Sequence, residues 1–262
     1  MSEPRASATV DYRARFDECG PDGDLRPAAL LRWAQDAAWI HSGRLGFGRE
    51  WYADRGLAWV VRALDLVVLA PIPVGTTVAV TTRVMGFRRV LARRATEIVL
   101  PEGRVAALCT TDWAMTDVAS GSPTRVPADF PSLFDSPPGG FEPVRVRPEA
   151  TPPDAAVTRL RPRPQELDPM AHANNATYLD WFEEVVAAAG GSADLAAEPR
   201  TYRLEYLVPA ALGDELVART WAIGSGEGRA WRCEIERVVT DEAQAPVLRA
   251  ALTAGRGGPS RE

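Results

Sequence analysis

A segment of this chain recurs. Pro71 to Thr82 reads PIPVGTTVAVTT and Pro209 to Thr220 reads PAALGDELVART, with a proline, a glycine and a terminal threonine at matching places. Upstream of each lies a Leu-x-Trp in an apolar stretch, Leu31-Arg32-Trp33 and Leu179-Asp180-Trp181. Before that comes an apolar-Asp pair, Phe16-Asp17 and Leu167-Asp168. Agreement at separate points in one order marks a duplicated unit, and it limits the chain to folds that can be built twice. Between the copies the sequence changes character. Eleven of the 22 prolines fall between Pro123 and Pro164, where missing N–H donors and a restricted backbone oppose both sheet and helix. The expected organisation is a first repeat over 8–122, an extended proline-rich linker over 123–155 and a second repeat over 156–256.

Within each copy the apolar pattern reads as strand, helix and then several strands. The first helix begins near Pro27, whose fixed φ and missing N–H suit a first turn, and stops near Gly43. Ala34, Ala37, Ala38 and His41 share one side of it, flanked by Leu30, Leu31 and Ile40. The second helix runs from about Asn175 to Ala189 and ends at Gly190-Gly191. Strands show a period of two: Trp231, Cys233 and Ile235 face one way, Arg232, Glu234 and Glu236 the other. Tyr202, Leu204 and Tyr206 likewise oppose Arg203 and Glu205. One long helix against a curled antiparallel sheet, made twice and joined by the linker, is an α+β architecture.

Composition removes whole classes of chemistry. The 262 residues include no lysine, so all 30 basic residues are arginine, and Schiff-base catalysis and a lysine-built phosphate loop are excluded. A net charge of −5 argues against a nucleic-acid partner. Cys19, Cys109 and Cys233 are odd in number and far apart, which predicts reduced, buried thiols in a cytoplasmic protein rather than a disulfide framework. With only two histidines, His41 and His172, and no cysteine pair, no metal-ligand spacing exists, and no cofactor is expected. The longest uncharged stretch, Leu66 to Thr82, is broken by Pro71, Pro73 and Gly75. It reads as two strands and a turn rather than a membrane helix of ~20 residues, and neither a signal peptide nor a membrane partner is expected.

The segment with chemistry is Leu167 to Glu184, LDPMAHANNATYLDWFEE, which gathers Asp168, His172, Asn174, Asn175, Glu183 and Glu184 around the start of a helix. Free N–H groups at a helix start can bind the oxygen of a carbonyl under attack. Asp168 can orient His172 or act as base, His172 can move a proton, and Glu183 can activate water. The same residues have structural uses. Asn174 or Asn175 can cap the helix, Asp168 can serve a turn, and Glu183 and Glu184 can be solvated helix charges.

This segment resembles the signature of hotdog-fold thioesterases, in which an Asp, a His-x-Asn-Asn run, a Tyr-Leu and a helical Trp-Phe-Glu-Glu follow in this order. The first half, RFDECGPDGDLRPAALLRWAQDAAWIHSGRLGFG and then GLAWVVRALDLVV, is similar to the N-terminal half of acyl-acyl carrier protein thioesterases, which are double hotdogs. The resemblance implies a double hotdog that hydrolyses an acyl thioester, on acyl carrier protein in preference to coenzyme A, as a monomer or homodimer. It implies a catalytic group among Asp168, His172, Asn174 and Glu183, with Asn175 at the substrate. In the first copy, Trp33 and His41 are expected to line the acyl chain's tunnel. The family pattern places an asparagine where Met170 stands, and an acidic residue and cysteine where Pro209 and Ala210 stand. The general base therefore comes from elsewhere in this chain, Asp168 or Glu183, with carbonyl polarisation from N–H groups near Ala173–Asn175.

Two other functions compete. A dehydratase of 3-hydroxyacyl thioesters would have its Asp and His five apart with Asn-Pro between, whereas Asp168 and His172 are four apart. A non-catalytic hotdog that binds acyl thioesters is the other reading. Arg88-Arg89, Arg93-Arg94 and the series Arg159, Arg161, Arg163 are candidate contacts for an acidic carrier or a phosphate.

Overall fold

In the computed structural model, which describes residues 5–134, 140–224, 229–239 and 244–255, each copy of the repeated pattern forms a five-stranded antiparallel sheet and one long helix. The first unit spans residues 1–144 and the second 145–262. In the first, β1 (Ser7–Arg13) passes through a 3-10 turn (Phe16–Glu18) to α1 (Pro27–Arg44) and the short α2 (Arg49–Ala53). β2 (Leu57–Val68), β3 (Thr77–Arg88), β4 (Leu91–Val99), β5 (Val105–Asp117) and the single-turn α3 (Phe130–Leu133) follow. The second unit repeats the order: β6 (Ala156–Leu160), a 3-10 turn (Pro164–Glu166), α4 (Asn175–Ala188), α5 (Ser192–Leu195), β7 (Arg200–Tyr206), β8 (Leu216–Ile223), β9 (Ala230–Val238) and β10 (Gln244–Ala254).

The strand order is β1-β3-β4-β5-β2 in the first unit and β6-β8-β9-β10-β7 in the second, the same permutation. Registers agree as well, since Thr9 faces Thr81 and its counterpart Val157 faces Arg219. The fold class is α+β. Among the described residues no helix is long and apolar enough to cross a membrane.

Local chemistry explains the elements. Pro27 occupies the first turn of α1, and Ala28, Ala34, Ala37, Ala38 and His41 are buried along it. Small side chains let the helix lie close to β1 and β3. In β9 the expected alternation holds: Trp231, Cys233 and Ile235 are buried, and Arg232, Glu234 and Glu236 are partly exposed. All three cysteines are free and buried.

The pairing of the two copies differs in one place from the sequence expectation. Phe16-Asp17 lies inside the first 3-10 turn, whereas Leu167-Asp168 follows the second. What aligns the copies is a capping pair at each turn, Arg15 with Glu18 and Arg163 with Glu166. Trp33 Nε1 donates to Glu18 and Trp181 Nε1 to Glu166, each at 3.3 Å. The counterpart of Asp168 is therefore Gly20, and that of Asp17 is Gln165.

The proline-rich stretch is not a bare connector. Phe130 and Phe134 are buried with Phe47, Tyr52, Val84 and Met115, because the prolines there punctuate a turn and a short helix rather than an extended chain. The division between units falls at Val144/Arg145. In the first unit, the Val144 N–H and both ends of the Arg93 guanidinium bond the fully buried Asp112 carboxylate at 2.7–2.8 Å. In the second, Arg145 and the Val146 N–H bond the buried Glu205 at 2.9 and 3.2 Å. Each set of partners offsets the cost of burying a carboxylate charge.

Gly191, just past α4, has no room for a side chain. A Cβ there would meet Val186 Cγ1 at 2.5 Å and the Trp231 ring at 2.8 Å. Gly191→Ala is expected to destabilise the protein by about 1–3 kcal/mol through overpacking, read as a lowered midpoint in denaturant unfolding.

Candidate functional site

Leu167 and Ala173 form an antiparallel bridge, which makes the intervening residues a tight hairpin. Inside it the Asp168 N–H donates to the His172 carbonyl at 2.8 Å, and the Ala171 N–H to the Asp168 carbonyl at 2.9 Å. Register then places Asp168 and His172 directly opposite each other. Cross-strand neighbours of this kind share a face with Cβ atoms ~5 Å apart. The four-residue spacing in the sequence is thus the spacing of a hairpin pair, and the turn between them is Pro169-Met170-Ala171. One Asp168 oxygen, Oδ1, accepts the Met170 N–H at 2.8 Å. Ala171 carries φ 61, a left-handed conformation that the first copy meets with Gly23 at φ 85.

The hairpin is tied down on two sides. The Ala173 N–H donates to the Ala210 carbonyl at 2.8 Å, and His172 bridges to Ala211. The Asn174 N–H donates to the Glu166 carbonyl at 2.8 Å, while its side-chain Oδ1 caps α4 by accepting the Ala176 N–H at 3.0 Å. Two of the three backbone donors expected to polarise a carbonyl, those of Ala173 and Asn174, are therefore already engaged. The Asn175 N–H, at the first residue of α4, has no acceptor among the described residues.

Glu183 lies elsewhere. Eight residues along α4 from Asn175, it is ~12 Å further down the axis. It accepts a hydrogen bond from the Tyr202 hydroxyl, which in turn accepts from Arg200 Nε at 3.0 Å. Tyr202 is fully buried, and burial together with the Glu183 charge holds its phenol well above the ordinary range. The structure brings Asp168, His172, Asn174 and Asn175 together and leaves Glu183 in a separate network.

In the first unit Trp33 is buried, stacked on Tyr12 at 5.4 Å and bonded to Glu18. His41 is 2% exposed. Its Nε2 contacts the Arg5 carbonyl at 3.0 Å and its Nδ1 faces Arg94 at 2.9 Å. Burial first, and the Arg94 charge second, lower its pKa to about 4, so it is neutral at pH 7. Arg93 and Arg94, read from the sequence as surface contacts, instead face inward to Asp112 and to His41 and Ser42. Arg161 pairs with Glu215.

Sequence reasoning passed over two tyrosines. Tyr178 accepts the Ala210 N–H at 2.8 Å, and Tyr206 donates to the Asn175 carbonyl at 2.9 Å. Tyr178 stands in the signature's Tyr-Leu and Tyr206 in an alternating strand, and neither pattern gives the hydroxyl a role. Their signal lies in the repeat: the corresponding residues of the first copy are Leu30 and Val68, which have no hydroxyl.

Comparison with known proteins follows this geometry. The model of the acyl-ACP thioesterase N-terminal domain matches residues 6–134, and that of the C-terminal domain residues 150–245. A Lactobacillus plantarum structure described as an oleoyl thioesterase is 18% identical, covering 96% of this chain and 98% of that one with a TM-score of 0.82. The 12:0-ACP thioesterase from Umbellularia californica is 20% identical, covering 94% and 93% with a TM-score of 0.77. An acyl-ACP thioesterase from Bacteroides thetaiotaomicron is 17% identical, covering 97% and 99% with a TM-score of 0.76. At these identities the structures share a fold with this chain. No curated protein matches the sequence.

Two outcomes are expected. Ala171→Gly relieves the left-handed alanine and should raise stability by about 0.5–1 kcal/mol in chemical unfolding. His41 has a folded pKa below its unfolded value, so the unfolded chain binds the proton first. Its contribution is complete above ~pH 6.5 and lost as the pH falls towards 4, a change of about 1–2 kcal/mol after solvent screening. The stability gap between wild type and His41→Gln should narrow across that window.

Proposed function

Because the chain belongs to the acyl-ACP thioesterase family and is a thioester hydrolase, we propose that the Asp168–His172 hairpin is its hydrolytic centre and that acyl carrier protein is the preferred carrier, with coenzyme A secondary. The observation that carries this reading is the direct cross-strand pairing of Asp168 and His172 beside the start of α4. His172 takes a proton from water as the water oxygen attacks the thioester carbon. Asp168, with one oxygen fixed on the Met170 N–H, stabilises the imidazolium that forms. The developing oxyanion is met by the Asn175 N–H, and a donor in such a position is commonly worth ~10²–10³ in rate. The C–S bond then breaks, and His172 returns its proton to the departing thiolate. Asn174 supports the site as the cap that holds the helix start in place.

In this reading Glu183 shapes the helix through Tyr202 and Arg200 rather than activating water. Trp33 and His41 border the acyl chain's side of the first unit through their packing. The two units are hotdog repeats, each a sheet wrapped on its long helix, in a monomer or homodimer. A cytoplasmic setting suits three free, buried thiols.

Thiol release from acyl-carrier-protein and acyl-coenzyme A panels tests the proposal. His172→Ala and Asp168→Asn are each expected to lower kcat by at least about 100-fold, while Glu183→Gln retains turnover and loses stability. Wild-type turnover in His172→Ala would overturn the assignment. Tight binding of acyl thioesters with no release by the wild type would leave the binding-protein reading instead.

A further inference from the structure

The two copies act as an internal control: a feature present in both serves the fold, and a polar feature present in one alone is not required to close it. The Arg–Glu capping pair and its tryptophan occur in both copies. The Tyr178 hydroxyl occurs only in the copy that carries Asp168 and His172. In the first copy the equivalent helix position is Leu30, which is buried, and the same loop-to-hairpin bond is present, Leu25 N–H to the Ile72 carbonyl at 2.9 Å. The fold therefore closes without a phenol at this position.

We infer that Tyr178 is a positioning residue for His172, acting through the loop at Ala210-Ala211. Its ring is 2% exposed and packs edge-on against Trp181 and Tyr206, with ring centres at 5.0 and 5.3 Å. Its hydroxyl accepts the N–H of Ala210, whose carbonyl accepts the N–H of Ala173, while Ala211 bridges to His172. This runs from α4 through Ala210 to the residue that follows His172, with the next loop residue, Ala211, paired to His172 itself. Pro209 and Ala210, which carry no catalytic side chain, are thereby given a use as the backbone shelf on which the hairpin rests. The Asp168 and Asp214 carboxylates and the Arg237 guanidinium all bear on the phenol, and burial raises its pKa to about 12, so it stays a neutral hydroxyl throughout the working range. Tyr178→Phe removes the oxygen alone and leaves the buried Ala210 N–H unpaired, which frees the shelf to shift.

The inference rests on His172 being the catalytic imidazole, and its test separates the two claims. With only two histidines in the chain, the ring signals of His172 can be followed by NMR and assigned by their loss in His172→Ala. Tyr178→Phe is expected to lower kcat by about tenfold or more with KM within about twofold, and to move the His172 titration midpoint. A folded Tyr178→Phe with unchanged kcat, KM and midpoint would overturn the inference. Tyr178→Leu, which installs the first copy's residue, is read the same way if Tyr178→Phe does not fold. If His172→Ala retains turnover, the catalytic reading fails. The His172 midpoint then decides the positioning claim alone, a moved midpoint upholding it and an unmoved one ending it.

Discussion

One glutamate in each copy holds its unit's entrance together. Glu166 receives the Arg163 N–H on Oε2, the Trp181 indole N–H on Oε1 and the Asn174 N–H on its backbone carbonyl. Glu18 receives the same three from Arg15, Trp33 and Arg26. A single residue thus fixes the 3-10 turn, the helix axis through its tryptophan, and the position of the helix cap. The Asp168–His172 hairpin hangs between the first and third of these attachments. Its ends are held from outside, and the bonds within the hairpin then keep its two side chains in register.

The copies then diverge on that common frame. Gly20 corresponds to Asp168, Asp24 to His172, Arg26 to Asn174 and Leu30 to Tyr178. The first copy spends its polar groups differently, burying Arg94 against His41 and Ser42 beside an aromatic cluster of Phe47, Phe130 and Phe134. The differences between the copies fall at places where the backbone is already secured by bonds that do not depend on side-chain identity.

Much of this was legible in the residues. Pro27, the Leu-x-Trp pairs and the alternating strands are local signals, so the helices, strands and repeat could be read directly. Asp168 and His172 could be singled out because they cluster with two asparagines at the entrance to a helix; that they form a hairpin pair is visible only in the backbone bonds. Glu183 could not be judged, since its place depends on Tyr202, a contact between α4 and β7 that no spacing encodes. Arg93 and Arg94 read as surface because arginine usually is; only the sheet shows that Asp112 lies opposite one and His41 beside the other. The register of the copies is easily misread at Phe16-Asp17 because an apolar-acidic pair is a weaker anchor than the Arg-x-x-Glu box that encloses it.

A stretch crowded with proline ordinarily invites cutting and splicing: proteases nick there, and engineers insert there. Here Phe141 stacks on Arg93 with its ring centre 4.3 Å from the guanidinium, Val144 caps Asp112, and Arg145 and Val146 cap Glu205. Lengthening the chain between Phe141 and Val146 would strip a partner from a buried carboxylate, a loss of about 3–5 kcal/mol for each. The permissive points for a tag or a permuted terminus are the exposed hairpin tips around Gly103 and Gly121, where the backbone turns in open space and a new residue meets nothing.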